Sequence, residues 1–178
     1  ATAQQRETDR THTEIQAWLR DLGRALGYRV WIAANDRSRL HDGARLGEGC
    51  LDQLPTALAN GAGAESIRLI DVLWLGAAAD RVAAAFEVEH STTIYSGVVR
   101  MLDLALSREL HTSAGLFLVA PDSREGDVRA QLQRPAFSRI SDLDVRYLPY
   151  GELDRHRGSI ARFGSDLRGL TEISHRLT

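Results

Sequence analysis

Phe86-Glu87-Val88-Glu89-His90 closes a run, Arg81 to Glu89, that reads as a β-strand carrying two carboxylates two residues apart. Side chains at that spacing share one face of a strand. Upstream lies Ile70-Asp71-Val72-Leu73-Trp74-Leu75, an apolar strand with one acid in it. A carboxylate among apolar neighbours is costly unless something positive meets it. Only Gly76 to Asp80 joins the two runs, so they must pair as an antiparallel hairpin. Residues equidistant from Ala79 then face each other. That sets Asp71 opposite Glu87, with Cβ atoms about 5 Å apart, and Glu89 on the same face. Three carboxylates in so small a volume repel, and hard oxygen ligands of this kind suit magnesium, with manganese as a substitute. The competing reading is that Glu87 and Glu89 are solvent-facing residues at a strand end. It suits Asp71 less well, because that acid has apolar neighbours on both sides.

Working outward, the chain of 178 residues fits one domain and can bury a real core. No apolar run reaches the length of a membrane span. The polar start, Ala1 to Arg10, lacks a signal-like apolar core, which predicts a cytoplasmic protein. Cys50 is the sole cysteine, so an internal disulfide and a thiolate zinc cluster are excluded. The basic residues are all arginine. No lysine is therefore available as a base, Schiff-base former or point cation, and arginine offers forked contacts to phosphate instead. The net charge of -2 gives no overall basic signal, although a local basic groove is compatible with it.

Residues 1–10 read as a polar arm and 11–178 as a single domain, with a core over about 11–150 and a helical extension over 151–178. Ile15, Trp18, Leu19, Leu22 and Leu26 recur at helical spacing, and Gly27 supplies a stop. Tyr28 to Ala34 reads as a strand. Arg37 to Glu65 is irregular and glycine-rich, with a short helix around Leu54 to Ala59; such long segments are often functional. Strands follow at Ile67–Leu75 and Arg81–Glu89. A helix runs from the cap residues Ser91, Thr92 and Thr93 to about Arg108. A strand over Leu116–Ala120, a helix to about Gln133, a strand over Val145–Leu148 and a helix over Glu152–Phe163 complete the order. This predicts an α/β fold with a mixed central sheet of about five strands flanked by helices.

Glu14 adds a candidate fourth carboxylate, one turn before Trp18 on the stripe expected to face the sheet. It also fits a capping box, Thr11-x-x-Glu14, and both roles stay open. His90 points to the strand face opposite Glu89, and His12 lies near Glu14; a structural or exposed role is the simpler reading for each.

The helix carrying Glu14, then Ile70-Asp71, Phe86-Glu87-Val88-Glu89, a helix and Leu116-Phe117-Leu118-Val119 resemble the PD-(D/E)XK nuclease superfamily, the three-layer restriction-endonuclease-like fold, over roughly residues 11–150. The resemblance implies Asp71 and Glu87 as metal ligands, the Val88 carbonyl as a further one, and Asp71, Glu87, Glu89 and Glu14 as the catalytic set. Glu89 stands where the common pattern has lysine, which resembles the Glu-x-Glu minority of restriction enzymes. The longer string Phe86 to Gly97 is also similar to a group of bacterial restriction-endonuclease domains. The expected activity is magnesium-dependent hydrolysis of double-stranded DNA. A homodimer is expected because two strands need two sites, with further domains or subunits in the full protein.

The helix after Glu89 begins beside the acids, and free amides at a helix start attract phosphate. Ser91, Thr92, Tyr95, Ser96 and Arg100 are therefore candidate DNA contacts, as are Asn35 and Arg37 at the end of the first strand. Capping, turn chemistry and a solvated face explain the same residues equally well. Arg155, Arg157, Arg162 and Arg168 give the C-terminal part a local positive excess. An alternative is a weakly active or inactive DNA-binding module of a larger restriction or repair protein. A small-molecule α/β enzyme fits poorly, because Gly61-Ala62-Gly63 precedes a strand instead of following one.

Overall fold

The computed structural model describes residues 3–76, 81–90, 94–107, 114–137 and 143–177. Helix α1 (Ala3–Ala25) leads into strand β1 (Arg29–Ile32). The irregular segment contains a small hairpin, β2 (Leu40–His41) with β3 (Ala44–Arg45), and two short helices, α2 (Thr56–Ala59) and α3 (Ala64–Ile67). Then come β4 (Val72–Leu75), β5 (Val82–Val88), α4 (Ile94–Leu106) and β6 (Gly115–Ala120). A 3-10 turn (Asp122–Arg124), α5 (Glu125–Leu132), β7 (Val145–Pro149), α6 (Tyr150–Phe163), α7 (Arg168–Ile173) and β8 (His175–Arg176) finish the chain.

The main sheet has six strands in the order β1-β4-β5-β6-β7-β8. The β5-β6-β7 steps are parallel and the others antiparallel. In β4 and β5, alternate residues serve opposite cores. Val72, Trp74, Ala84, Phe86 and Val88 pack under α1 and α6, while Leu73, Leu75 and Ala85 pack under α4 and α5. Both faces are covered, which is why these strands read as near-continuous apolar runs. The result is the expected mixed three-layer α/β architecture.

The expected hairpin register appears in β4 and β5. Val72 faces Phe86, Leu73 faces Ala85 and Trp74 faces Ala84, each pair equidistant from Ala79, with one shift at Leu75. Three expectations change. The strand expected from Ile67 starts only at Val72, because Ala64–Ile67 forms a helical turn first. The helix expected from Thr11 or Thr13 begins at Ala3, so residues 3–10 continue it instead of forming a loose arm. Gln4, Gln5, Arg6 and Glu7 are good helix formers, and Thr11 is then an interior residue, not a cap. The unpatterned tail forms α7 and edge strand β8.

Helix α1 is pinned to the sheet at one point. The Trp74 Nε1–H donates to the Leu19 carbonyl at 3.0 Å. A Cβ on Gly23 would lie 2.4 Å from Trp74 Nε1, so only glycine allows this approach. The inward stripe of α1 is therefore His12, Ile15, Gln16, Leu19 and Gly23. This sets what the helix delivers to the sheet edge.

Candidate active site

The C-terminal ends of β1, β5, β6 and β7 lie along one sheet edge, beside the start of β4. Crevices at such edges are where open α/β sheets bind ligands. The chain after β1 brings Asp36 to this edge, the start of β4 brings Asp71, and β5 brings Glu87 and Glu89. Four buried acids thus gather at this edge, Asp36 and Asp71 beside the inward stripe of α1 and Glu87 and Glu89 beside α4.

Asp71 stands where the β4–β5 ladder ends. The ladder position facing Val88 is Ile70, but the chain has already left the sheet there. The Asp71 carboxylate takes its place, and the Val88 N–H donates to Asp71 Oδ2 at 2.7 Å. Its other oxygen, Oδ1, lies 3.4 Å from His12 Nε2 and 3.5 Å from Gln16 Nε2. Burial opposes the charged imidazole, but the hydrogen bond and charge of Asp71 outweigh it and hold the His12 pKa above its ordinary value. In a strand, the N–H and C=O of one residue point to the same side. The Val88 carbonyl belongs to the residue whose N–H meets Asp71.

Glu87 is 0% exposed. Arg100 of α4 grips it with two bonds, Nε to Oε1 at 2.9 Å and Nη2 to Oε2 at 2.7 Å. Burial, then the Asp71 charge, push the Glu87 carboxyl well above the usual range against the pull of Arg100. Glu89 is 7% exposed, and among the described residues no ion pair engages it. Burial and the Asp71 charge raise it to about 7. Gly97 of α4 makes room for both acids: a Cβ there would lie 2.7 Å from Glu89 Oε1 and 3.1 Å from Glu87 Cβ. Two further buried polar atoms at this edge lack hydrogen-bond partners among the described residues, Arg124 Nη1 and Tyr150 Oη. Burial, then Asp71 and Glu89, push the Tyr150 phenol above its ordinary range.

The predicted residues are thus only partly brought together. Asp71 raises both glutamates, so the three share one electrostatic site, but their carboxylates engage different partners. The close ligand set among the described residues is instead His12, Asp36 and Asp71, whose donor atoms all lie within 4.8 Å of one another. Glu14 does not join. It lies two residues from His12, about 200° round the helix, and so points away from the stripe that reaches Asp71. The sequence stripe was misphased because Trp18, taken as inward, lies half-buried beneath Arg157, whose guanidinium is 4.4 Å from its ring.

Among the candidate DNA contacts, Ser91 and Thr92 lie outside the described residues. Tyr95 is 51% exposed, near Phe137 and Arg134. Ser96 is half-buried and Asn35 exposed. Arg100 is committed to Glu87. Arg37 is spent on its own loop, donating to the Leu51 carbonyl and to Asp52 Oδ1 at 3.2 Å and covering Trp31 at 4.9 Å. Arg155, Arg157 and Arg162 likewise have neighbours on their own helix. Burial raises the Cys50 thiol, consistent with an inert residue.

The residues the sequence undervalued are His12, Gln16 and Asp36. His12 and Gln16 are four apart, one helical turn, and a glutamine inside an apolar stripe was the signal available. Gln16 is 0% exposed and its Nε2 donates to Asp36 Oδ2 at 2.9 Å.

Over residues 1–166 the chain matches the family model described as "Type II restriction enzyme NmeDI C-terminal domain". It is 29% identical over 153 residues to the type II restriction enzyme NmeDI of Neisseria meningitidis serogroup C, which covers 83% of this chain and 42% of that relative. The chain therefore spans less than half the length of the curated relative it matches. No solved structure matches it.

Proposed function

Because the chain belongs to the family of type II restriction enzyme NmeDI C-terminal domains, we propose that it is the nuclease part of a restriction enzyme, hydrolysing phosphodiester bonds of double-stranded DNA with a divalent cation, magnesium by first expectation. The observation that carries this reading is Asp71 ending the β4–β5 ladder beside buried Glu87 and Glu89. The donors fit a cation. Asp71 accepts from the Val88 N–H, Glu89 has no ion pair among the described residues, and Gly97 keeps a side chain out of the space beside it. Asp71, the Val88 carbonyl and Glu89 would hold the ion, with Glu87 behind them. A cation so held supplies positive charge to the attacked phosphate and the leaving oxygen.

The chain's own groups do the rest. Arg100 neutralises Glu87 and fixes its orientation. Glu89 stands where the PD-(D/E)XK pattern has lysine. Burial and the Asp71 charge raise its pKa, and the charge of a held cation would favour its ionised, ligating form. The exposed Tyr95 face and the start of α4 would meet the DNA. Cutting both strands calls for two such sites, so a homodimer belongs to the proposal, as do further domains for sequence recognition.

A plasmid-nicking assay with magnesium or manganese tests this. Asp71→Ala and Glu87→Ala should each abolish cleavage; unchanged cutting by Asp71→Ala overturns the assignment. A second reading is a DNA-binding module without turnover, favoured by the occupation of both Glu87 oxygens by Arg100. Any Asp71-dependent cleavage by the wild-type chain counts against it.

A further inference from the structure

We propose that His12, Asp36 and Asp71, with the carboxamide of Gln16, form a binding site for one divalent first-row transition-metal ion, on the α1 side of the sheet edge and separate from the Glu87–Arg100 pair. The site shares Asp71 with the proposed cleavage centre, but its existence does not depend on that reading.

Two carboxylates, Asp36 at 2% and Asp71 at 7% exposure, are held close together out of water. Between them stand a neutral amide nitrogen, Gln16 Nε2, at 2.9 Å from Asp36 Oδ2 and 3.5 Å from Asp71 Oδ1, and the His12 ring. Arg39 Nε lies 2.9 Å from Asp36 Oδ1, yet that oxygen forms no hydrogen bond of acceptable geometry. The second signal is Gln16 Oε1, which is buried with no hydrogen-bond partner among the described residues although the residue is fully enclosed. Leaving such an acceptor unpaired forfeits its hydration with nothing in return. Turning the carboxamide over exchanges its nitrogen and oxygen, and would aim Oε1 at the two carboxylate oxygens. Three oxygens facing one another repel unless a cation lies among them. A bound ion therefore resolves the orphan acceptor and the crowded acids together.

The size and chemistry agree. Donor atoms on opposite sides of one ion, each about 2.1 Å from it, lie about 4.2 Å apart. The His12, Asp36 and Asp71 donors are within 4.8 Å of one another, so shifts of a few tenths of an ångström close the shell. One imidazole nitrogen with carboxylate and carbonyl oxygens is a borderline donor set. It favours manganese and its heavier neighbours over magnesium, which prefers an all-oxygen octahedron.

Manganese, added to the full chain without DNA, is the probe. Free Mn2+ is counted by electron paramagnetic resonance, and nitrogen coupling to the bound ion is read by spin-echo modulation. One strong site with imidazole coupling is expected, resisting about a tenfold excess of magnesium. His12→Gln should lose the coupling, and His12→Gln and Asp36→Asn should each weaken binding at least about tenfold. Asp154→Asn, on the exposed face of α6, should change nothing. No nitrogen coupling in the wild-type chain, or Asp36→Asn binding within about twofold of it, overturns the inference without requiring any other variant to fold. Asp36-dependent manganese binding with no DNA cleavage leaves this site standing and removes the nuclease reading. Asp71-dependent cleavage with no such binding does the reverse.

Discussion

Arg100→Ala isolates the electrostatics of the acidic edge. Glu87 is 0% exposed and both its oxygens are held by Arg100, at 2.9 and 2.7 Å. Removing one partner of a buried pair leaves an uncompensated charge and typically costs about 3–5 kcal/mol. The protein limits that cost by protonating Glu87, whose pKa already stands well above its ordinary value and would rise further without Arg100. A carboxyl with a raised folded-state pKa contributes stability below its unfolded pKa and loses it as pH rises toward the folded one. The slope approaches about 1.4 kcal/mol per pH unit. Urea denaturation should therefore show Arg100→Ala closest to wild type at low pH, where Glu87 is protonated in both, with the deficit growing toward about 3–5 kcal/mol as pH rises through the wild-type Glu87 pKa. Adding Glu87→Gln removes the charge and should recover most of the loss, leaving about 1 kcal/mol for the amide's missing partner. A deficit below about 1 kcal/mol at the higher pH, or no recovery in the double variant, refutes the claim that Arg100 serves to neutralise Glu87.

Three further outcomes follow from the same geometry. Glu89, raised from 4.5 to about 7, should cost stability as pH climbs between those values, by up to about 3 kcal/mol; Glu89→Gln should flatten that part of a stability-against-pH curve measured in urea. Gly97→Ala puts a methyl 2.7 Å from the movable end of Glu89, so its melting temperature should hold within a few degrees while plasmid cleavage falls at least about tenfold. Gly23→Ala drives a methyl into the Trp74 ring at 2.4–2.8 Å, which should cost about 1–3 kcal/mol in denaturant titration and, by shifting α1, weaken manganese binding at His12.

The hairpin was legible in the sequence because its register follows from arithmetic on a short turn. Val72, Leu73 and Trp74 meet the partners that equal distance from Ala79 assigns. The helix between β5 and β6 allows a parallel step, and the two strands do pair in parallel. Tertiary detail was not. Where three carboxylates were expected to converge, Arg100 took Glu87 instead, and nothing in a polar helix stripe identifies which residue will reach across. The phase of α1 failed for a similar reason. Apolar periodicity marks a broad face, and choosing between the Glu14 and His12 edges of it requires the Gly23–Trp74 contact, between segments remote in sequence.

The charges at this edge single out one residue. Asp36 is met by Gln16 and Arg39, Asp71 by His12 and the Val88 amide, and Glu87 by Arg100. Glu89 alone among these four acids has no such partner among the described residues. It is correspondingly the one brought to about 7. It also stands in a chain that has no lysine to supply a cation. A lysine there would be a fixed cation beside Asp71. A glutamate makes the position neutral or negative within the pH range of ordinary enzymes, and its demand for a positive partner changes accordingly. Arg100, His12 and Arg124 are the cations whose charge it feels, in that order. Its positive field is therefore delivered by three separate segments, α4, α1 and the turn after β6, and not by its own strand.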